Sequence, residues 1–268
     1  MKNNDLEQRY RAMVEDNVNV GKINDGVEFL ILILGIVVML FVIYLFADSI
    51  SCFIIDRLPD KTITQIEKSI PNFDTTMILK DSKNQAQIDK LEKIKQKIVA
   101  EDKVLQNKSS FPISIEPMKE VNAFIEIDGS IHFTEGLLEK VNDEEMLAFV
   151  MAHEFGHYAH RDCLKHVSRQ VIAGLITSVL SGGQNNTSVA INGISDLNAL
   201  TYSRAQEKRA DEYANKMLYK LYGRNTAAIK FFRYLEKEEN APEFLQYFSS
   251  HPSTQQRLRF ARSIHSSR

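Results

Sequence analysis

Asn142-Asp143-Glu144-Glu145-Met146-Leu147-Ala148-Phe149-Val150-Met151-Ala152-His153-Glu154-Phe155-Gly156-His157 is the stretch whose reading decides this chain. It opens with Asn142 as a helix N-cap and Glu145 three residues later, the spacing of a capping box. Three acidic residues in that first turn complement the helix dipole. Met146, Leu147, Phe149, Val150 and Met151 then supply an apolar face. The pattern predicts a buried helix that ends in His-Glu-x-x-His. On a helix, His153 and His157 stand one above the other on one face. Their imidazoles can grip one metal ion, and zinc suits such ligands in tetrahedral geometry. Glu154 can reach a water at that ion without ligating it, the arrangement of a hydrolase in which glutamate is the general base.

The 268 residues allow one domain of ordinary size plus an appendage. A net charge of −2 makes no case for nucleic acid. Cys52 and Cys163 are the two cysteines, and no disulfide framework is readable from them. Cys163 reads as a small buried residue.

Phe29 to Ala47 carries no charge and is rich in Leu, Ile and Val, which fits one membrane-spanning helix. The residues before it are too many and too acidic for a cleaved signal peptide. Ser49-Ile50-Ser51-Cys52 only faintly resembles a lipidation box. Lys2, Arg9, Arg11 and Lys22 precede the apolar run, and Arg57, Lys61 and Lys68 follow it. That bias favours a cytoplasmic N-terminus and an extracytoplasmic catalytic domain.

Residues 1–26 are polar without periodicity and read as a tail. Gln85 to Leu105 reads as a charged helix with an apolar stripe at Ile88, Leu91, Ile94, Ile98 and Leu105, either a stalk or a cover for the core. Phe111 to Ile115 is a short strand candidate. Val121 to Thr134 alternates like a hairpin, with Asp128-Gly129 at its turn. An edge strand beside a metal can pair with an extended peptide. Leu164 to Leu180 is apolar, with its charges near the start. It reads as a buried helix or a second membrane-associated one. Ser178 to Ser188 reads as a loop, and helical patterns return over Val189–Tyr222, Thr226–Glu239 and Ser253–Ser263. Ser253 to Gln256 offers a capping box for the last.

Two histidines leave a catalytic zinc site one protein ligand short. Tyr202 to Ala214 offers Glu207 as the third, with Asp211 four residues on and Arg204 on the same side. Asp211 can fix the tautomer of a ligand histidine. A solvated charged helix face is the other reading of that spacing.

His-Glu-Phe-Gly-His followed by Ser203-Arg204-Ala205-Gln206-Glu207-Lys208-Arg209-Ala210-Asp211 resembles the HtpX-like and CAAX-prenyl-protease-like gluzincin metalloproteases. Ser203, Arg204, Glu207, Ala210 and Asp211 match the block that carries that family's glutamate ligand. Asn122-Ala123-Phe124 with Gly136-Leu137-Leu138 is similar to its edge-strand block, and His251-Pro252 with Arg257 to its late element. These blocks span residues 121–257 in the family's order. The resemblance implies an α+β fold: a mostly helical zincin (gluzincin) catalytic domain with a small β-sheet, preceded here by one transmembrane helix. The domains are then 1–26 polar tail, 27–47 transmembrane helix, 48–110 connector and charged helix, and 111–268 zinc metallopeptidase. Several membrane helices in the best-known members, against one here, imply a single-anchor or periplasmic branch.

The reading that follows is a membrane-anchored zinc endopeptidase. One Zn²⁺ per chain is held by His153, His157 and Glu207. Glu154 is the base, and Asp211 and Arg204 are the supporting residues. Asn122, Ala123 and Phe124 form the substrate edge. His251 or Arg204 meets the developing oxyanion, or His251 fills the open metal position and holds the enzyme latent. His132, His160, His166 and His265 show no such partner pattern. The resemblance implies polypeptide substrates from the membrane or envelope, often in quality control, with the lipid bilayer as a further partner. The alternatives are a silent zinc-binding scaffold or holdase, which would have no use for Glu154, and a hydrolase of non-peptide amides.

Overall fold

The structure is a computed structural model that describes residues 2–15, 25–69, 85–108, 110–181, 201–238, 241–252 and 254–266. Contacts divide it into two compact units, Met1–Phe46 and Ala47–Arg268.

The first unit holds helix α1 (Lys2–Glu15) and helix α2 (Asp25–Leu45). The expected tail is thus helical over α1, where Asp5–Arg9 and Glu7–Arg11 pair at i,i+4. Helix α2 is long and apolar enough to cross a membrane, and none of its residues is buried. It ends at Leu45, and Ala47 is buried in the second unit. The apolar helix is therefore shorter at its C-terminal end than the uncharged run.

The second unit begins with α3 (Ala47–Arg57) and α4 (Asp60–Ser69). Helix α5 (Gln85–Ala100) follows and buries Leu91, Ile94 and Ile98 completely. This stripe packs on the metal-motif helix, so α5 covers the core rather than forming a stalk. Asp102 caps the short α6 (Lys103–Gln106).

Strands β1 (Ile113–Glu116), β2 (Ala123–Ile125) and β3 (Ile131–Thr134) form a sheet of order β1-β3-β2. β1 runs parallel to β3 and β2 antiparallel. The hairpin turn spans residues 126–130, with Gly129 at φ +83. Ile113, Ile115, Ala123, Ile125, Ile131 and Phe133 alternate into the core. β2 is an edge strand and packs against the motif helix.

After α7 (Glu135–Lys140) comes that helix, α8 (Glu144–Ala159). Its N-cap is Asp143, not Asn142, and the Asp143 carboxylate accepts from the N–H groups of Glu145 and Met146. Asn142 instead accepts from Lys90 Nζ, which withdraws it from capping. Every residue from Leu147 to His157 is buried. Phe149 meets the ring of Phe232 edge-on at 5.3 Å, and Phe155 that of Phe111 at 4.9 Å.

Helix α9 (Asp162–Leu180) starts after Arg161, which has φ 58. The loop expected over residues 178–188 lies largely outside the described residues, as does the start of the helical pattern at Val189. Helix α10 (Arg204–Tyr222) begins with a capping box between Ser203 and Gln206 and ends at Gly223. Helices α11 (Thr226–Lys237), α12 (Leu245–Ser250) and α13 (Thr254–Ser266) complete the unit. The capping role expected of Ser253 lies outside the described residues.

Candidate metal centre

Helices α8 and α10 pack against each other, and Gly156 of one faces Ala210 of the other. A Cβ built on Gly156 would stand 2.9 Å from Ala210 Cα, which is backbone and cannot give way. Glycine on one side and alanine on the other therefore set the separation. His153, His157, Glu207 and Asp211 face one another across this contact, all buried.

The Nε2 atoms of His153 and His157 are 3.1 Å apart. Glu207 Oε1 lies 3.3 Å from His157 Nε2, and its Oε2 lies 3.6 Å from His153 Nε2. His251, which caps the C-terminus of α12, places Nδ1 3.3 Å from His153 Nε2 and 3.0 Å from Glu207 Oε1. The four donors lie within 4.8 Å of one another, the one such group among the described residues.

These spacings fit a bound cation. Ligand atoms held tetrahedrally about 2.0–2.1 Å from zinc stand about 3.3 Å apart. Lone pairs converging at that distance repel unless something positive lies among them.

The next layer fixes the donors. His153 Nδ1 lies 3.0 Å from Asp211 Oδ1, and His157 Nδ1 lies 3.0 Å from Asp162 Oδ2. With each Nδ1–H given to a carboxylate, each Nε2 keeps its lone pair for the centre. Arg257 in turn donates to Asp211 through Nε and Nη2, both at 2.8 Å, and its Nη1 is 2.8 Å from Glu207 Oε2. Arg209 donates to Asp162 at 3.1 Å. Tyr202 stacks flat on His157, with ring centres 3.8 Å apart.

The charge balance agrees. Glu154, Glu207, Asp162 and Asp211 are four carboxylates, against two guanidiniums from Arg209 and Arg257. With neutral imidazoles, two negative charges stand unbalanced, as many as one divalent cation carries. Burial and the nearby Arg257 push His153 down to about 3, so it is neutral. Burial also opposes a charge on His157, but Asp162 and Glu207 outweigh it and raise the group to about 10. That corner of the site favours a positive charge. Burial would raise Glu207, yet Arg257, His251 and His153 hold it well below the usual carboxylate range.

Glu154 is different. Its Oε1 is 3.7 Å from His251 Nε2, and its Oε2 has no hydrogen-bond partner among the described residues. Burial pushes its pKa up, which makes it a better proton acceptor beside the donors.

Of the residues singled out in the sequence, His153, Glu154, His157, Glu207, Asp211 and His251 come together. Arg204 does not. Its side chain is exposed on the first turn of α10, and the buried guanidinium that meets Glu207 belongs to Arg257. Asn122 precedes β2, and Ala123 and Phe124 lie on it. Asn122 N–H donates to Thr134 Oγ1, and Thr134 N–H to Asn122 O. Sequence reasoning missed Asp162, Tyr202 and the role of Arg257. Asp162 follows His157 by five residues, so a carboxylate just past the motif was the available signal. Cys163 is buried, with its thiol 3.1 Å from Tyr202 Oη, and burial pushes it up to about 12. His160 closes the end of α8 with Nδ1 2.6 Å from Gly156 O.

No curated protein matches the chain. Residues 85–265, well over half of it, match the family model described as Peptidase family M48. That span contains the converging donors, Glu154 and both carboxylates behind the histidines, and the chain belongs to peptidase family M48, a family of zinc metalloproteases.

Proposed function

We propose that this protein is a membrane-anchored zinc endopeptidase that cleaves polypeptides of the membrane or envelope, in protein quality control. One observation supports it above the rest: four buried donors converge beside a buried glutamate whose Oε2 has no partner among the described residues. A purely structural zinc site has no use for such a base.

His153, His157 and Glu207 are the ligands in this reading. When bound there, zinc supplies the Lewis acidity that polarises a carbonyl and makes water nucleophilic near neutral pH. Glu154 accepts a proton from the attacking water and returns it to the leaving amine nitrogen. Asp211 and Asp162 hold the two imidazoles in the ligating tautomer. The edge strand β2 beside α8 suits an extended peptide, which would add to the sheet alongside Ala123 and Phe124. Helix α2 is the anchor, and the basic residues on its N-terminal side favour an extracytoplasmic second unit.

His251 Nδ1 sits where a fourth ligand would, so we read it as a latch that leaves the centre when substrate enters. The same closed set of four is the feature that favours a silent zinc scaffold, because structural sites are closed.

The test is cleavage of an unfolded polypeptide by the full chain, its Glu154→Gln variant and its His251→Ala variant. Glu154→Gln should lower cleavage by about 10²–10⁴-fold. His251→Ala should raise it. Absence of cleavage by the wild type and by His251→Ala alike would leave the scaffold reading.

A further inference from the structure

Helices α3 and α9 pack together and run antiparallel. Asp56 pairs with Lys165 at 2.6 Å and Asp48 with Arg169 at 3.0 Å, so rising numbers in one helix meet falling numbers in the other. The chain enters this unit at Ala47, one residue before Asp48. Helix α9 continues to Leu180 and so extends about two turns past the point of entry.

The charges stop there. Gln170 to Leu180 contains none. Val171, Leu175 and Val179 recur at i, i+4 and i+8 and face outward, with Leu175 53% and Val179 63% exposed. Leu180 is 59% exposed. On a helix in water this outer stripe would be polar. The Thr177 hydroxyl in this stretch donates to the helix's own Ala173 O, and just past it the Ser181 hydroxyl donates to Ser178 O. Polar groups in lipid must be satisfied in this way.

We infer that Gln170–Leu180 is immersed in the bilayer as a second, non-spanning membrane contact, with the Arg169–Asp48 pair at the water boundary. This rests on α2 being the membrane anchor. It adds that the second unit itself touches lipid. The occupant follows from continuity. Helix α2 ends at Leu45 and the uncharged run that it carries ends at Ala47, and α9 projects past Ala47 at its own uncharged end. Eleven residues of helix rise about 16 Å, roughly half of the hydrocarbon core, so the segment enters one leaflet without crossing. The first residue of the same helix is Asp162, which holds His157. Asp162 and Arg169 are about 10 Å apart along its axis. One helix thus fixes the metal centre close to the membrane surface, within reach of polypeptide segments that emerge from it.

The full chain, with Cys52→Ser and Cys163→Ser, would carry a polarity-sensitive fluorophore on one new cysteine at a time. Leu175→Cys and Val179→Cys probe the proposal, Val37→Cys probes the anchor, and Lys216→Cys reports water. Each would be reconstituted in phosphatidylcholine–phosphatidylglycerol vesicles with spin-labelled acyl chains or with iodide in the water. The expected result is lipid quenching at 175 and 179 comparable to that at 37 and several-fold above that at 216. Iodide quenching at 175 and 179, with lipid quenching at 37, would overturn the immersion and leave the anchor. Protection of 175 and 179 from both quenchers would overturn it in favour of a contact with a second copy. Lipid quenching at 175 and 179 without any at 37 would uphold the immersion and remove the anchor.

Discussion

Two buried clusters of this protein place histidine against carboxylate, one between helices and one on the sheet, and they are built in opposite ways. At the helix crossing, three imidazoles turn a nitrogen toward one another and toward Glu207, with donors 3.0–3.6 Å apart. On the sheet, His132 faces outward to partners on both sides. Its Nδ1 lies 2.6 Å from Ser114 Oγ and 2.7 Å from Glu116 Oε1, while Nε2 lies 3.4 Å from Glu126 Oε1. Phe124 stacks on its ring at 4.5 Å. Strand pairing sets these partners abreast, Ser114 and Phe124 being the register neighbours of His132 on either side. Helical i,i+4 spacing on α8 and on α10 instead crowds donors into the seam between two helices. The sheet cluster gathers Ser114 and Glu116 on one nitrogen of His132 and leaves its Nε2 without a hydrogen-bond partner among the described residues. The helical cluster instead turns donors from four side chains toward a common centre.

Breaking the convergence should have the largest effect. Arg257 is the buried cation beside both Glu207 and Asp211. Arg257→Met would leave two buried carboxylates uncompensated and should cost about 3–5 kcal/mol in denaturant unfolding of the metal-free chain. Added zinc should restore part of that loss. A change within error would mean that Arg257 is not what lets the carboxylates share the site.

The carboxylates behind the two histidines come next. Asp211→Asn and Asp162→Asn should each weaken zinc binding by about 10–100-fold, read by competition with a chelator. If only one does so, the two histidines are not held alike.

The smallest effect belongs to the sheet, and it should leave zinc content untouched. Hydrogen bonds from His132 and from Ser114 outweigh burial and hold the Glu116 carboxyl below its ordinary 4.5. A lowered folded pKa gives stability that is present above 4.5 and lost as pH falls through the lowered value. Glu116→Gln should therefore flatten the fall in unfolding free energy between about pH 5 and pH 3. An unchanged slope would show that this carboxylate contributes nothing to acid stability.

The contrast also explains what the sequence made legible. His153 with His157 and Glu207 with Asp211 are both i,i+4 pairs, so each half of the centre was visible within a few residues. Asp162 was not, because it reaches His157 only after the left-handed turn at Arg161. Arg257 was visible as a motif letter, but its partner Asp211 lies 46 residues away in the chain. Arg204 was drawn into the site by helical spacing and by its place in the family-like block, and neither says where a side chain on the first exposed turn lies. Helix α1 escaped notice because its i,i+4 ion pairs leave no apolar periodicity. Gly156 read as an ordinary motif letter until Ala210 stood opposite it.

The central claim is that the convergent donors bind a metal and that Glu154 acts beside it without holding it. The most direct test is the zinc content of purified wild type, Glu207→Gln and Glu154→Gln at equal free zinc. The account predicts one zinc per chain in the wild type and in Glu154→Gln, and a sharp loss in Glu207→Gln. Equal zinc in Glu207→Gln and wild type, or its loss in Glu154→Gln, would contradict it.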